Sequence, residues 1–256
     1  MVVPKNYKQQ HKDELLKEQI EAVLSTHPSY GHRRIALSLG LGKKQIRRVM
    51  RLYGIKPYKR KARWRKRRDE RRKPAPFNNQ IKHQCPIIPN HIWVGDFTYL
   101  RFKSRFYYLA TFMDVFTREV VGWQVSRKHT RDLVIKAFFN GLLNRKLHPP
   151  QFIHSDQGAE YTSEEYIELM KTIGVNISMS TKSSPWENAY QESFYNNFKT
   201  DLGLEFDRFH DEGHFLEAIH HTLHNYNRHR IHTILKMSPS QYHAKYLESV
   251  SIKRGT

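Results

Sequence analysis

Between residues 93 and 125, three runs rich in aromatic and β-branched side chains, 93–100, 106–115 and 120–125, are separated only by the polar turns Lys103-Ser104-Arg105 and Thr117-Arg118. Gaps this short leave no room for a crossover, so the three runs must pair antiparallel as a meander. The period then changes. Thr130 can cap a helix running to about residue 143, with Leu133, Val134, Ala137, Phe138 and Leu142 on one face. His148-Pro149-Pro150 ends it, and residues 152–156 make a short buried strand. Ser163-Glu164-Glu165 opens a helix that Gly174 closes, and 175–180 reads as a fifth strand. A helix over about 187–201 and a longer amphipathic one around 211–226 complete the order βββαβαβα. The expected architecture is α/β: a mixed five-stranded sheet with helices on its faces.

That order is the one found in ribonuclease H-type folds, and three acids sit where such a sheet would gather them. Asp96 interrupts the first strand, in Trp93-Val94-Gly95-Asp96-Phe97-Thr98-Tyr99. Asp156 ends the fourth, in His154-Ser155-Asp156-Gln157-Gly158, and Glu192 lies mid-helix. A carboxylate inside an apolar strand is costly unless it is paired, neutralised or bound to metal. Two strand acids and one helix acid meeting at a sheet centre would make an oxygen-ligand site for Mg²⁺, with Mn²⁺ as substitute. Two such ions, roughly 4 Å apart, suit phosphoryl transfer. On a wheel of about 100° per residue, Asn188, Glu192, Asn196 and Lys199 form one polar stripe, with Tyr190, Phe194 and Phe198 opposite. Glu187 falls about 140° from Glu192, so both cannot enter one site. Lys199 projects with Glu192 and is expected to hold a DNA phosphate. Asp114, by contrast, reads as a turn residue paired structurally with Arg118.

The charge of this 256-residue chain points to the partner. Of a net +20, residues 43–73 carry 17 Lys/Arg against 2 Asp/Glu, whereas residues 1–42 carry 6 against 4 and the rest 21 against 18. Such a block is the footprint of a polyanion site, here double-stranded DNA. It begins on the third of three short helices expected within residues 12–55. There Ile46, Val49, Met50 and Tyr53 face inward, and Lys43, Lys44, Arg47, Arg48 and Arg51 face out. Helix, glycine turn (Gly40-Leu41-Gly42) and basic helix resemble a helix-turn-helix. The block continues through Arg65, Arg67 and Arg68, beside Trp64, into a proline-containing stretch. The expected division is therefore a helical DNA-binding domain over 1–55, a basic linker over 56–89, a catalytic core over 90–205 and a helical extension over 206–256. The longest lipid-friendly run, 106–113, is far short of the roughly 20 residues of a spanning helix, and no charged-then-apolar leader is visible. A lone Cys85 excludes an internal disulfide and a multi-cysteine zinc site. A soluble, cytoplasmic protein without membrane contact is expected. The histidines between His210 and His232 are expected to be solvated or DNA-facing rather than zinc ligands.

At these residues the sequence resembles the second-reading-frame (OrfB) proteins of bacterial insertion elements of the insertion-sequence three family, and more broadly the retroviral integrases. Their signature is Asp, a second Asp, then Glu after 35 intervening residues, with Lys or Arg seven further on. Here 35 residues separate Asp156 from Glu192, and Lys199 follows seven later. His27-Pro28-Ser29-Tyr30-Gly31-His32-Arg33-Arg34-Ile35, Tyr226-Asn227-Arg228, His232 and Pro239 also match, so the likeness covers about residues 20–245. Glu187 stands where the family usually has Asp, and Ser184 where it often has Gly. The integrases' His/Cys zinc module is missing. The resemblance implies a DDE transposase with an integrase-like core: metal-dependent cleavage at element ends, then transfer of the 3′-hydroxyl into target DNA. It further implies a homo-oligomer on DNA and a first-frame (OrfA) protein or fusion as partner. Two other readings are a non-enzymatic DNA-binding regulator derived from a transposase, and a ribonuclease H-type nuclease. The intact acids argue against the first, and the helical segment ahead of the core against the second.

Overall fold

The computed structural model describes residues 5–58, 75–181, 188–203 and 209–254. Trp64, Arg65, Arg67, Arg68, Ser184 and Glu187 lie outside them. Three helices come first: α1 (Lys5–Thr26), α2 (His32–Leu39) and α3 (Lys43–Leu52). Then follow β1 (Ile92–Phe102), β2 (Arg105–Asp114), β3 (Val120–Ser126), α4 (Arg131–Asn144), β4 (Phe152–Ser155), α5 (Glu164–Ile173), β5 (Asn176–Met179), α6 (Ala189–Asp201), α7 (Glu212–Arg228) and α8 (Pro239–Arg254). The sheet order is β3-β2-β1-β4-β5. β1, β2 and β3 form the expected antiparallel meander. β4 pairs parallel with β1, and β5 parallel with β4.

Both faces of the sheet are covered, and strand alternation decides which side chain goes where. Ile92, Val94, Leu100 and Phe102 of β1 pack with Phe194 and Phe198 of α6 and Phe215 and Ile219 of α7. Trp93 points the other way, to Phe138 of α4 and Tyr166 and Met170 of α5. α4 lies unusually close to β3. A Cβ on Gly122 would run into the Ala137 carbonyl and the Gly141 backbone, so only glycine fits there. The first three helices bury their own core of Leu16, Ile20, Tyr30, Ile35, Ile46 and Val49, and Ile231 from the segment after α7 packs against it. Gly54, at φ +65°, turns the chain after α3 as a glycine can. Among the described residues no helix is long and apolar enough to cross a membrane.

Three local expectations need correction, and one helix of the expected extension left no signal of its own. α1 begins at Lys5 rather than near residue 12, because its polar first turns contain good helix formers without any apolar stripe to mark them. α8 is similarly polar around its circumference and left no periodic signal. On α6, Phe194 and Phe198 are buried as expected, but Tyr190 is 39% exposed and Gln191 is fully buried in its place. Asp114 is a turn residue, but it does not pair with Arg118. Its carboxylate accepts from the amides of Asn90, Phe116 and Thr117, while the Arg118 guanidinium lies 4.1 Å over the Tyr190 ring.

Candidate active site

Strand register brings the two aspartates together. β1 and β4 pair Val94 with His154. Carried on by two residues, the same register sets Asp96 opposite Asp156, just beyond the end of β4. β1 keeps its partner on the other side, where Asp96 pairs with Thr111 of β2. Asp96 shares the parity of Val94 and so faces α6. Asp156 is steadied by its own loop: its Oδ1 accepts from the Gly158 amide at 3.0 Å. Gln157 ties that loop to β5 by donating to the Ser180 carbonyl at 3.0 Å.

The helix carrying the third acid is fastened to the same level of the sheet. Gln191 donates to the carbonyl of Val94 at 2.6 Å and accepts from the Thr111 hydroxyl at 3.1 Å. One turn later, the Tyr195 hydroxyl donates to the carbonyl of Asp96 at 2.7 Å. These polar groups are buried and partnered, which fixes the rotation of α6 more sharply than apolar packing would. Glu192, between them in sequence, stands on the exposed side of the helix and adds its charge to the field at Asp96. Lys199, two turns on, lies 5.2 Å from the centre of the Tyr99 ring and opposes that field.

The electrostatics are those of carboxylates short of positive charge. Burial, reinforced by Asp156 and more weakly by Glu192, pushes the Asp96 carboxyl up to about 7 against the pull of the Phe97 amide and Lys199. Burial also raises Asp156, with Glu160 adding to it and the Gly158 amide and His129 opposing. Among the described residues no group of three His, Cys, Asp or Glu side chains lies close enough to hold a metal ion. Asp96 and Asp156 nevertheless have the donor chemistry for a hard divalent cation: paired, half-buried oxygen ligands whose ionised forms such a charge would stabilise.

Two neighbours escaped the sequence reading. Glu160 approaches the site because Gly158 lets the loop fold tightly; a Cβ there would sit 3.1 Å from Asp156 Oδ1 and 3.0 Å from Glu160 Oε2. His129 lies 3.2 Å from Glu160 and is packed against the rings of Phe97 and Tyr108, at 4.1 and 4.9 Å. The glycine after Asp156 was the only available signal. On the basic helix, Lys43, Lys44, Arg47 and Arg51 are exposed. Arg48 is exposed too, but both its terminal nitrogens also bond the buried Asp13 of α1.

Comparison with known proteins accords with this geometry. The model of the integrase core domain matches residues 87–185, and a second integrase core domain model matches 173–239. The transposase for insertion sequence element IS904 of Lactococcus lactis is 34% identical over 203 residues, covering 76% of this chain and 79% of that one. Transposase InsF for insertion sequence IS3A of Escherichia coli K12 is 35% identical over 167 residues, 62% of this chain and 56% of its own length. Among solved structures, a simian T-cell lymphotropic virus intasome in complex with PP2A regulatory subunit B56 gamma is similar in fold, with a TM-score of 0.55 and 18% identity over 88% of this chain and 74% of that one. The sheet, its paired aspartates and these likenesses lead to one conclusion: the chain belongs to the IS3-type family of insertion-sequence transposases with a ribonuclease H-like integrase core.

Proposed function

We propose that Asp96, Asp156 and Glu192 are the catalytic and metal-holding residues of this transposase. What supports the reading is the β1–β4 register, which carries Asp96 and Asp156 to one level of the sheet, with Glu192 near enough to add its charge there. Parallel register sets the two aspartates side by side, and Gln191 and Tyr195 fasten the helix of Glu192 to the backbone of Val94 and Asp96. Two Mg²⁺ ions bound there would lower the pKa of an attacking water or DNA 3′-hydroxyl and offset charge on the leaving oxygen. The residues' own work is to hold negative oxygen at fixed positions. Asp96 does so from the rigid middle of a paired strand, Asp156 from a loop pinned by Gly158, and Glu192 from a helix with a locked rotation. Lys199 supplies a positive charge beside Asp96, suited to a phosphate of the scissile strand.

In this reading the helical segment and its basic continuation, including Lys43, Lys44, Arg47, Arg51, Arg65, Arg67 and Arg68, bind duplex DNA. Arg48 would contribute mainly by fixing α3 against α1. The active form is a homo-oligomer on DNA, joined by a first-frame protein or fused to it. The test uses labelled duplex carrying the terminal inverted repeats that flank the coding region. Asp96→Asn, Asp156→Asn and Glu192→Gln should each abolish Mg²⁺-dependent cleavage and 3′-end joining while duplex binding without metal persists. A Glu192→Gln variant that cleaves and joins normally would remove Glu192 from the site.

A further inference from the structure

Where the helical segment meets the core, three guanidinium groups, one buried and two half-buried, gather near a single acid, Asp201. Arg230, 3% exposed, is fully engaged: it pairs with Asp201, donates to Ser29 Oγ at 3.0 Å and to Asn197 Oδ1 at 2.8 Å. Tyr30 joins the two sides, its hydroxyl accepting from the Ile231 amide at 2.7 Å. Around this joint stand two more guanidinium groups. Arg34 of α2 lies 5.7 Å from the centre of the Tyr30 ring, and Arg118 of the β2–β3 turn lies 4.1 Å from that of Tyr190 on α6. Arg118 Nε and Nη1, Arg34 Nε and His232 Nδ1 are buried and find no hydrogen-bond partner among the described residues. The turn bearing Arg118 is tied to the α7 end of this segment, since the Val120 amide and carbonyl both bond the Asn227 side chain, at 2.9 and 2.8 Å. Arg118 also holds a left-handed backbone, φ +62°, uncommon for a residue with a Cβ.

We propose that Arg34, Arg118 and His232 form a binding site for a phosphodiester of the DNA backbone at the seam between the N-terminal helices and the catalytic sheet. Buried donors left unpartnered, with two guanidinium charges beyond what Asp201 offsets, are costly unless an anion completes them. A phosphate accepts several such bonds and suits the guanidinium fork. Before an anion binds, burial and then Arg118, Arg34 and Arg230 push the His232 imidazole down to about 4. A strand held there would run past the first turn of α6, close in sequence to Glu192. The site would thereby join end binding to the catalytic helix.

The proposal rests on reading the chain as one that acts on DNA, and its test separates the two. Affinity of the full chain for a random-sequence duplex is measured in EDTA across about 50 to 200 mM salt. Each lost phosphate contact should lower the slope of log K against log salt by about 0.9. Arg118→Gln and Arg34→Gln should each show that decrease, so that affinity falls about threefold less over this range than in the wild type. Arg118→Lys should keep the slope but bind more weakly, having lost the fork. Lys171→Gln, on exposed α5, should match the wild type. Wild-type slopes in folded Arg34→Gln and Arg118→Gln variants would overturn the site even if the chain cleaves DNA normally. Stabilisation by inorganic phosphate at constant ionic strength, lost in Arg118→Gln with no change of duplex slope, would make it a free-phosphate site and also overturn the assignment. Absence of wild-type duplex binding would refute the DNA reading itself.

Discussion

Replacing Asp96 by Asn should stabilise the metal-free protein at alkaline pH, and the size of the effect follows from the site. The carboxyl's ordinary value of 3.8 rises to about 7 in the folded chain, chiefly by burial and then by Asp156. Between those two values the folded chain keeps a proton on Asp96 that the unfolded chain has released. Stability therefore falls as pH rises through this window, and above it the ionised carboxylate costs up to about 4 kcal/mol. Asn has nearly the same shape, no charge, and can still accept from the Phe97 amide. Urea unfolding in EDTA, followed by far-UV circular dichroism at pH steps from about 4.5 to 8.5, should show the gap between the variant and the wild type narrowing toward the acid end. At the alkaline end the variant should be more stable by about 1–4 kcal/mol, the lower figure allowing for water reaching the half-buried group. Adding Mn²⁺ should then raise the wild-type midpoint and leave the variant's almost unmoved. An Asp96→Asn protein no more stable than wild type at the alkaline end would refute the claim that this carboxylate is electrostatically unsatisfied.

Three other outcomes follow from the packing. Tyr195→Phe removes the hydroxyl on the Asp96 carbonyl; it should cost about 1 kcal/mol in denaturant unfolding and lower cleavage more than duplex affinity, because the rotation of α6 is loosened. Gly122→Ala forces a methyl into the backbone of α4 and should cost about 1–3 kcal/mol by thermal unfolding, without altering cleavage per folded molecule. Glu119 is held near 2 despite burial that would raise it, by hydrogen bonds from His243 and Ser240 and the charge of Arg145. Its contribution, at most about 3 kcal/mol, is present above the ordinary value of 4.5 and lost as pH falls toward 2, so Glu119→Gln should flatten the acid limb of the stability profile.

The sheet was legible because its cause is local. Short turns force a meander, alternation assigns each face, and Gly174 and Thr130 mark helix ends without help from distant residues. The pairing of Asp96 with Asp156 could be expected from the fold order, although only the β1–β4 register shows how closely it is set. On α6 only Tyr190 departs from the expected buried face, and the reason is physical. A hydrophobicity wheel puts aromatic Tyr190 inward, whereas the polar Gln191 takes the buried position because two strand groups satisfy its amide. Glu160 and His129 belong to contacts between a loop and a helix-capping segment far apart in sequence, which periodicity does not encode. The roles of Arg34, Arg118 and His232 depend on three separate segments meeting, as does the loss of Arg48 to Asp13. No pattern along the chain distinguishes a cation that faces solvent from one already paired.

The central claim is that Asp96, Asp156 and Glu192 together hold the catalytic ions. Anomalous diffraction from crystals of the full chain bound to a terminal-repeat duplex and Mn²⁺ tests it most directly. Two manganese peaks, roughly 4 Å apart and ligated by these three carboxylates and a DNA phosphate, are the predicted result. Manganese bound elsewhere, such as among the histidines between His210 and His232, with none at Asp96 and Asp156 in a complex that cleaves its DNA, would contradict the account.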